Sequence, residues 1–175
     1  RLVGSEMCIR DRRGFVRRFR RLAIERAAEI EAWSDLVGAV VGVDPASTLL
    51  LRDEYGKVIG KPAGLPVMMI EEWLARRPFM GGAAPFVASS APAPHFSLFP
   101  HCHERALVSD VESLWRTAFA AVGARLDVVE ASCCGMAGAY GHVNENVDDS
   151  RAMFEASWLE KLASCEGQVV ATGFS

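Results

Sequence analysis

The sequence predicts an α/β protein, in which a helical N-terminal segment is followed by a cysteine-rich domain with a small parallel sheet and flanking helices. Three observations predict it. Apolar residues recur at helical spacing between residues 13 and 37. A stretch rich in Gly, Ala, Ser and Pro, 78–94, then separates two halves. Beyond it, short apolar runs alternate with longer amphipathic ones, in the order strand, helix, strand, helix, strand that suits a parallel sheet with crossover helices.

Residues 1–12 contain the string Ser5-Glu6-Met7-Cys8-Ile9-Arg10-Asp11-Arg12, which resembles an in-frame translation of a sequencing-library adapter. They are expected to be a non-native scar and, with Cys8, are set aside from the fold. From Arg13, Phe15, Phe19, Leu22, Ile30, Trp33 and Val37 form one apolar stripe with Arg and Glu between them, which predicts an amphipathic helix. Residues 40–43 read as a short buried strand, and Asp44-Pro45 as a helix start with Asp as the cap and Pro at the first helical position. That helix carries Leu49, Leu50 and Leu51 and ends in Arg52-Asp53-Glu54-Tyr55. A Gly/Pro/Lys connection, 56–66, leads to a short helix expected over 67–77, so that 13–77 forms a mainly helical segment. In the second half, 95–175, strands are expected at 96–99, 126–129 and 169–172, and helices at 110–122 and 147–163.

Composition narrows the function classes. The 175 residues are 50% hydrophobic and 23% charged, enough for a packed core, and the net charge of −3 gives no general reason to bind nucleic acid. Six arginines lie between Arg13 and Arg26, but Glu25, Glu29, Glu31 and Asp35 share the same helix, which reads as a solvated face. No apolar run approaches the roughly twenty residues of a membrane span. Five cysteines without a secretory signal point to a reducing compartment, with thiols used for metal or redox work.

The chemistry concentrates in residues 131–142, Ala-Ser-Cys-Cys-Gly-Met-Ala-Gly-Ala-Tyr-Gly-His. Cys133 and Cys134 are adjacent and poorly placed to bridge each other, but suited to gripping one inorganic centre. Gly135, Gly138 and Gly141 let backbone approach whatever the sulfurs hold. Cys102, between His101 and His103, supplies a third thiol. In an α/β sheet, ligands sit beyond the carboxyl ends of the strands, and that rule brings Cys102 and Cys133-Cys134 to one edge. Four chemistries suit these residue types. The cysteines can be packed as small hydrophobes. They can hold zinc, with His101, His103 or His142 completing the ligand set. They can hold an iron–sulfur cluster through thiolates, with glycine N–H donors around the sulfurs. Cys102 can also act as a nucleophile beside two histidines, which leaves the adjacent pair without a use. Cys165, near the end of the last helix, reads as a partly buried structural thiol.

At these residues the sequence resembles a known family. The matching segments are Gly42-Val43-Asp44-Pro45-Ala46, Arg52-Asp53-Glu54-Tyr55, Glu72-Trp73-Leu74, His101-Cys102, Glu104, Cys133-Cys134-Gly135-Met136-Ala137-Gly138, Tyr140-Gly141-His142, Asn146, Ser150, Ser157-Trp158 and Ala171-Thr172-Gly173. All are similar to the carboxyl-terminal part of large bacterial FAD-linked 2-hydroxyacid dehydrogenases of the D-lactate and D-2-hydroxyglutarate type. The second half also resembles the cysteine-rich CCG module found in the glycolate oxidase iron–sulfur subunit and in heterodisulfide reductase.

The resemblance implies a CCG-type domain over 95–175, truncated at its C-terminus, preceded over 13–77 by the tail of a similar half. It implies that Cys102, Cys133 and Cys134 ligate an iron–sulfur cluster of the 4Fe-4S type, with His101, Gly135 and His142 around it. The family continues past Ala171-Thr172-Gly173-Phe174-Ser175 with another cysteine, the expected fourth ligand. His103 and Val143 depart from the family pattern, and no role is carried to them. The implied function is electron transfer from flavin towards an acceptor. FAD and ferredoxin-type domains are expected upstream, because no Gly-rich dinucleotide fingerprint or C-x-x-C-x-x-C run occurs here. The expected partners are those domains and the acceptor, with no nucleic acid and no membrane span. The expected location is cytoplasmic, or peripheral at the inner membrane through the acceptor. Two other readings accompany this one: a heterodisulfide-reductase-like cluster module, and a zinc-binding or non-redox interaction domain.

Overall fold

The computed structural model describes residues 16–61, 64–76 and 92–173. The proposed scar with Cys8, Phe15 at the head of the stripe, most of the expected linker, and Phe174 and Ser175 lie outside the described residues. The chain divides between Ile70 and Glu71 into two compact units.

In the first unit, α1 (Val16–Ser34) buries Phe19, Ala23, Ala27 and Ile30, spaced four, four and three apart. The expected stripe is corrected at its end. The helix stops at Ser34, so Val37 lies beyond it, and Trp33 and Val37 are exposed. Two alanines in the buried face leave room for Tyr55, which is fully buried and meets the Phe19 ring edge-on at 5.4 Å. β1 (Val40–Gly42) is followed by α2 (Pro45–Leu49), a π turn (Leu50–Glu54) and α3 (Tyr55–Ile59). Asp44 caps α2 as expected, its Oδ2 accepting the Ser47 N–H at 2.9 Å. Replacing Asp44 by alanine is expected to lower stability by about 1 kcal/mol, read as a lower urea midpoint; an unchanged midpoint would mean that the cap contributes nothing.

The helix expected over 67–77 is also corrected. β2 (Val67–Met69) pairs in parallel with β1, Val40 opposite Val67, and only then does α4 (Ile70–Arg76) begin. Strand pairing and the burial of Val67 and Met69 on one face override the helical preference of the methionines.

The second unit is built on three parallel strands in the order β4-β3-β5: β3 (His95–Phe99) is central, with β4 (Arg125–Val128) and β5 (Gln168–Ala171) at the edges. Phe96 sits opposite both Leu126 and Gln168, and Leu98 opposite both Val128 and Val170. The central strand buries Ser97, Leu98 and Phe99, whereas β5, at one edge of the sheet, is largely exposed. The connections are α5 (Cys102–Leu107) and α6 (Val111–Ala121) between β3 and β4, and α7 (Val147–Phe154), a π turn (Glu155–Leu159) and α8 (Glu160–Ser164) between β4 and β5. Phe119 of α6 packs edge-on against Phe96 at 5.3 Å. Gly167 turns the chain into β5 at φ 76°, where a Cβ would lie 2.2 Å from the His95 carbonyl oxygen. Among the described residues no helix is long and apolar enough to cross a membrane.

Candidate cysteine-rich site

Both cysteine-bearing loops leave the carboxyl edge of the three-stranded sheet. β3 ends at Phe99, and Cys102 opens α5 three residues later; β4 ends at Val128, and Cys133-Cys134 follow in its loop. The residues after each strand are stitched together at this edge. The Val129 N–H donates to the Leu98 carbonyl at 2.8 Å, and the Thr172 N–H to the Phe99 carbonyl at 3.2 Å.

α5 forms because its first turn is capped from both sides. Nδ1 of His101 accepts the His103 N–H at 3.2 Å, and the Glu104 carboxylate accepts the His101 N–H at 3.2 Å, a capping box with histidine in the place Ser or Thr usually takes. Glu104 is fully buried. It also accepts hydrogen bonds from Trp115 Nε1 and the Thr172 hydroxyl, while the Thr172 oxygen accepts the His101 N–H at 2.8 Å. One carboxylate thus ties the end of β5, the start of α5 and helix α6 beneath Cys102.

The second loop is held residue by residue. Arg105 donates to the Ala131 carbonyl and Lys161 to the Glu130 carbonyl. The Ser132 N–H donates to Ser157 Oγ at 2.7 Å, and Trp158 Nε1 to the Ser132 carbonyl at 3.1 Å. Gly135, at φ 86°, passes so close to α7 that a Cβ there would lie 2.2 Å from the Ser150 carbonyl oxygen. Its N–H donates to Cys133 Sγ at 3.4 Å.

Cys102 lies near enough to Cys133 and Cys134 for their charges to act on its thiol, although the three sulfurs do not form a group within 4.8 Å of one another. Although Cys102 keeps much of its surface open, partial burial of the sulfur pushes its thiol pKa up, and negative charge on Cys133 and then Cys134 adds to the rise. Hydrogen bonds from the His103 and Cys102 backbone act in the opposite direction. Because the thiolate is the nucleophile, iodoacetamide alkylation of Cys102 in metal-free protein is expected to have its pH midpoint above the ordinary thiol value. Removing the Cys133 charge in Cys133→Ser should move that midpoint down; a midpoint that stays put would separate the two sulfurs.

Among the described residues, one group of three potential ligands has all its ligand atoms within 4.8 Å of one another: His101, Cys102 and His103. His142 closes the turn Tyr140–His142 on the exposed surface and is outside that group. Cys165 ends α8 and donates Sγ–H to the Lys161 carbonyl at 3.1 Å, the structural thiol its spacing suggests. The candidate ligands in the sequence did not include Glu104, Thr172 and Trp115, or Ser157 and Trp158 as supports of the second loop. A carboxylate three residues after a potential cap was the available signal for Glu104.

Comparison with known proteins gives one consistent result. Over 162 residues, 93% of its length, the chain is 38% identical to the D-2-hydroxyglutarate dehydrogenase of Pseudomonas putida, of which this stretch is 15%. It is 34% identical over 165 residues to the enzyme of that name from Escherichia coli, and 33% identical over 168 residues to that from Haemophilus influenzae, covering 93% of the chain and 16% of each relative. The chain thus spans 15–16% of the length of these curated relatives. No protein-family model and no solved structure matches it.

Proposed function

From the premise that the chain is a relative of one stretch of the D-2-hydroxyglutarate dehydrogenases, we propose that it is the iron–sulfur electron-transfer module of an FAD-dependent D-2-hydroxyacid dehydrogenase. The observation that supports this reading is that two loops carrying three thiols, Cys102 on one and Cys133 and Cys134 on the other, leave the same sheet edge, with a backbone N–H donated to one sulfur. The donor set suits a cluster: the thiols are not bridged to one another, and the Gly135 N–H donates to the Cys133 sulfur. Cys102, Cys133 and Cys134 would hold it as thiolates. When bound, such a cluster accepts and passes on single electrons at a potential set by hydrogen bonds to its sulfurs and by burial.

The chain's own residues prepare that site. Gly135 donates to the Cys133 sulfur. Glu104 and Thr172 fix the turn that presents Cys102. The flavin and ferredoxin-type domains, the acceptor and a cytoplasmic or inner-membrane-peripheral location belong to the same proposal. The test is rapid mixing of the whole dehydrogenase with D-2-hydroxyglutarate. Flavin bleaching should be followed by a second, iron–sulfur bleaching phase that Cys102→Ser diminishes; an identical second phase in that variant would overturn the proposal.

A second reading has an observation of its own. His101, Cys102 and His103 have the spacing of three ligands around one zinc ion. Nδ1 of His101 already accepts the His103 N–H, so zinc would have to use Nε2 or break the cap of α5. Metal identity separates the two readings.

A further inference from the structure

We infer that Trp158, with Ser157, is the positioning element that sets the separation between Cys102 and the Cys133-Cys134 pair. The inference rests on the proposed cluster reading for its purpose, but not for its geometry. The Trp158 ring stacks on Phe99 at 4.5 Å and 20°, against the last residue of the strand that leads into Cys102. The same side chain donates its indole N–H to the carbonyl of Ser132, the residue before Cys133, at 3.1 Å. Trp158 therefore touches the stem of each cysteine loop. Ser157 completes the grip by accepting the Ser132 N–H at 2.7 Å, so both backbone polar groups of Ser132 are held by two successive residues.

Successive residues of a regular α-helix diverge by about 100° and do not face one partner. Here both lie in the π turn Glu155–Leu159, and both reach Ser132, one through its N–H and one through its carbonyl. Such turns are rare and concentrate at functional sites. Phe154, stacked at 6.0 Å on Trp158, backs the ring from the preceding turn.

The test uses metal-free protein with all its cysteines, treated with dibromobimane, which bridges two nearby thiols, and resolved by peptide mass spectrometry. Bridges from Cys102 to Cys133 or Cys134 report the separation, and bridges within Cys133-Cys134 serve as the internal reference. Trp158→Phe keeps the stacking ring and loses the donor; Ser157→Ala loses the acceptor.

Each variant is expected to reduce the ratio of inter-loop to reference bridges by about tenfold, less than the roughly hundredfold that a 1 Å misplacement can cost an oriented reaction. Single-site alkylation of Cys165 should stay at its wild-type rate. An unchanged ratio in both variants overturns the inference. So does a fall accompanied by faster alkylation of Cys165, which would mark general loosening. Iron and sulfide in the same wild-type preparation before metal removal test the cluster reading separately, since the bridging ratio does not depend on metal.

Discussion

In the whole dehydrogenase, Cys133→Ser is expected to leave flavin reduction by D-2-hydroxyglutarate at its wild-type rate and to cut electron delivery to the acceptor by about a hundredfold or more. Losing an outer partner of a metal ligand already costs roughly ten- to a hundredfold, and Cys133 is proposed as a ligand itself. It has the strongest claim of the three because its sulfur receives the Gly135 N–H and because it follows directly on the clamped Ser132. Stopped-flow flavin absorbance and steady-state acceptor reduction read the two halves separately. Equal loss in both would mean that the substitution disturbs the flavin side, and no loss in either would remove Cys133 from the electron path.

The second large effect is structural. Glu104→Ala removes an acceptor shared by the His101 N–H, the Trp115 indole and the Thr172 hydroxyl, in a place with no access to solvent. An abandoned buried donor costs about 1–3 kcal/mol, and partial relaxation brings the total to about 4 kcal/mol. Glu104→Gln keeps the volume and one acceptor but turns an NH2 towards donors, for about 2 kcal/mol. Urea unfolding followed by tryptophan fluorescence gives both values. A loss below about 1 kcal/mol for the alanine variant would mean that the network contributes little.

The parallel sheet of the second unit was legible because each of its strands is a short run bounded by turn residues, and because the strand–helix alternation admits few topologies. The thiol edge followed from the rule about carboxyl ends. What was not legible depends on contacts distant in sequence. β2 exists because Val67 finds Val40 beside it, which local propensity in a Val-Met-Met run does not signal. α5 was missed because its cap is a histidine. The role of Glu104 is visible only once Thr172, 68 residues later, closes over it. Likewise Ser157 and Trp158 stand out in the sequence as a matching dipeptide, but their grip on Ser132 joins residues 25 and 26 positions apart, for which the sequence offers no local signal. His142, close to the cysteines in sequence, ends a turn on the exposed surface, as Cys102 itself is exposed.

The most direct measurement is metal content after purification without oxygen. Iron, acid-labile sulfide and zinc are counted per polypeptide for the chain as it stands, and for the chain extended by the residues that follow this stretch in the Pseudomonas putida relative. Iron with matching sulfide, higher in the extended chain and lost in Cys133→Ser, is the predicted result. Zinc, or no metal, in both chains would contradict the cluster assignment and leave a zinc-binding or interaction domain.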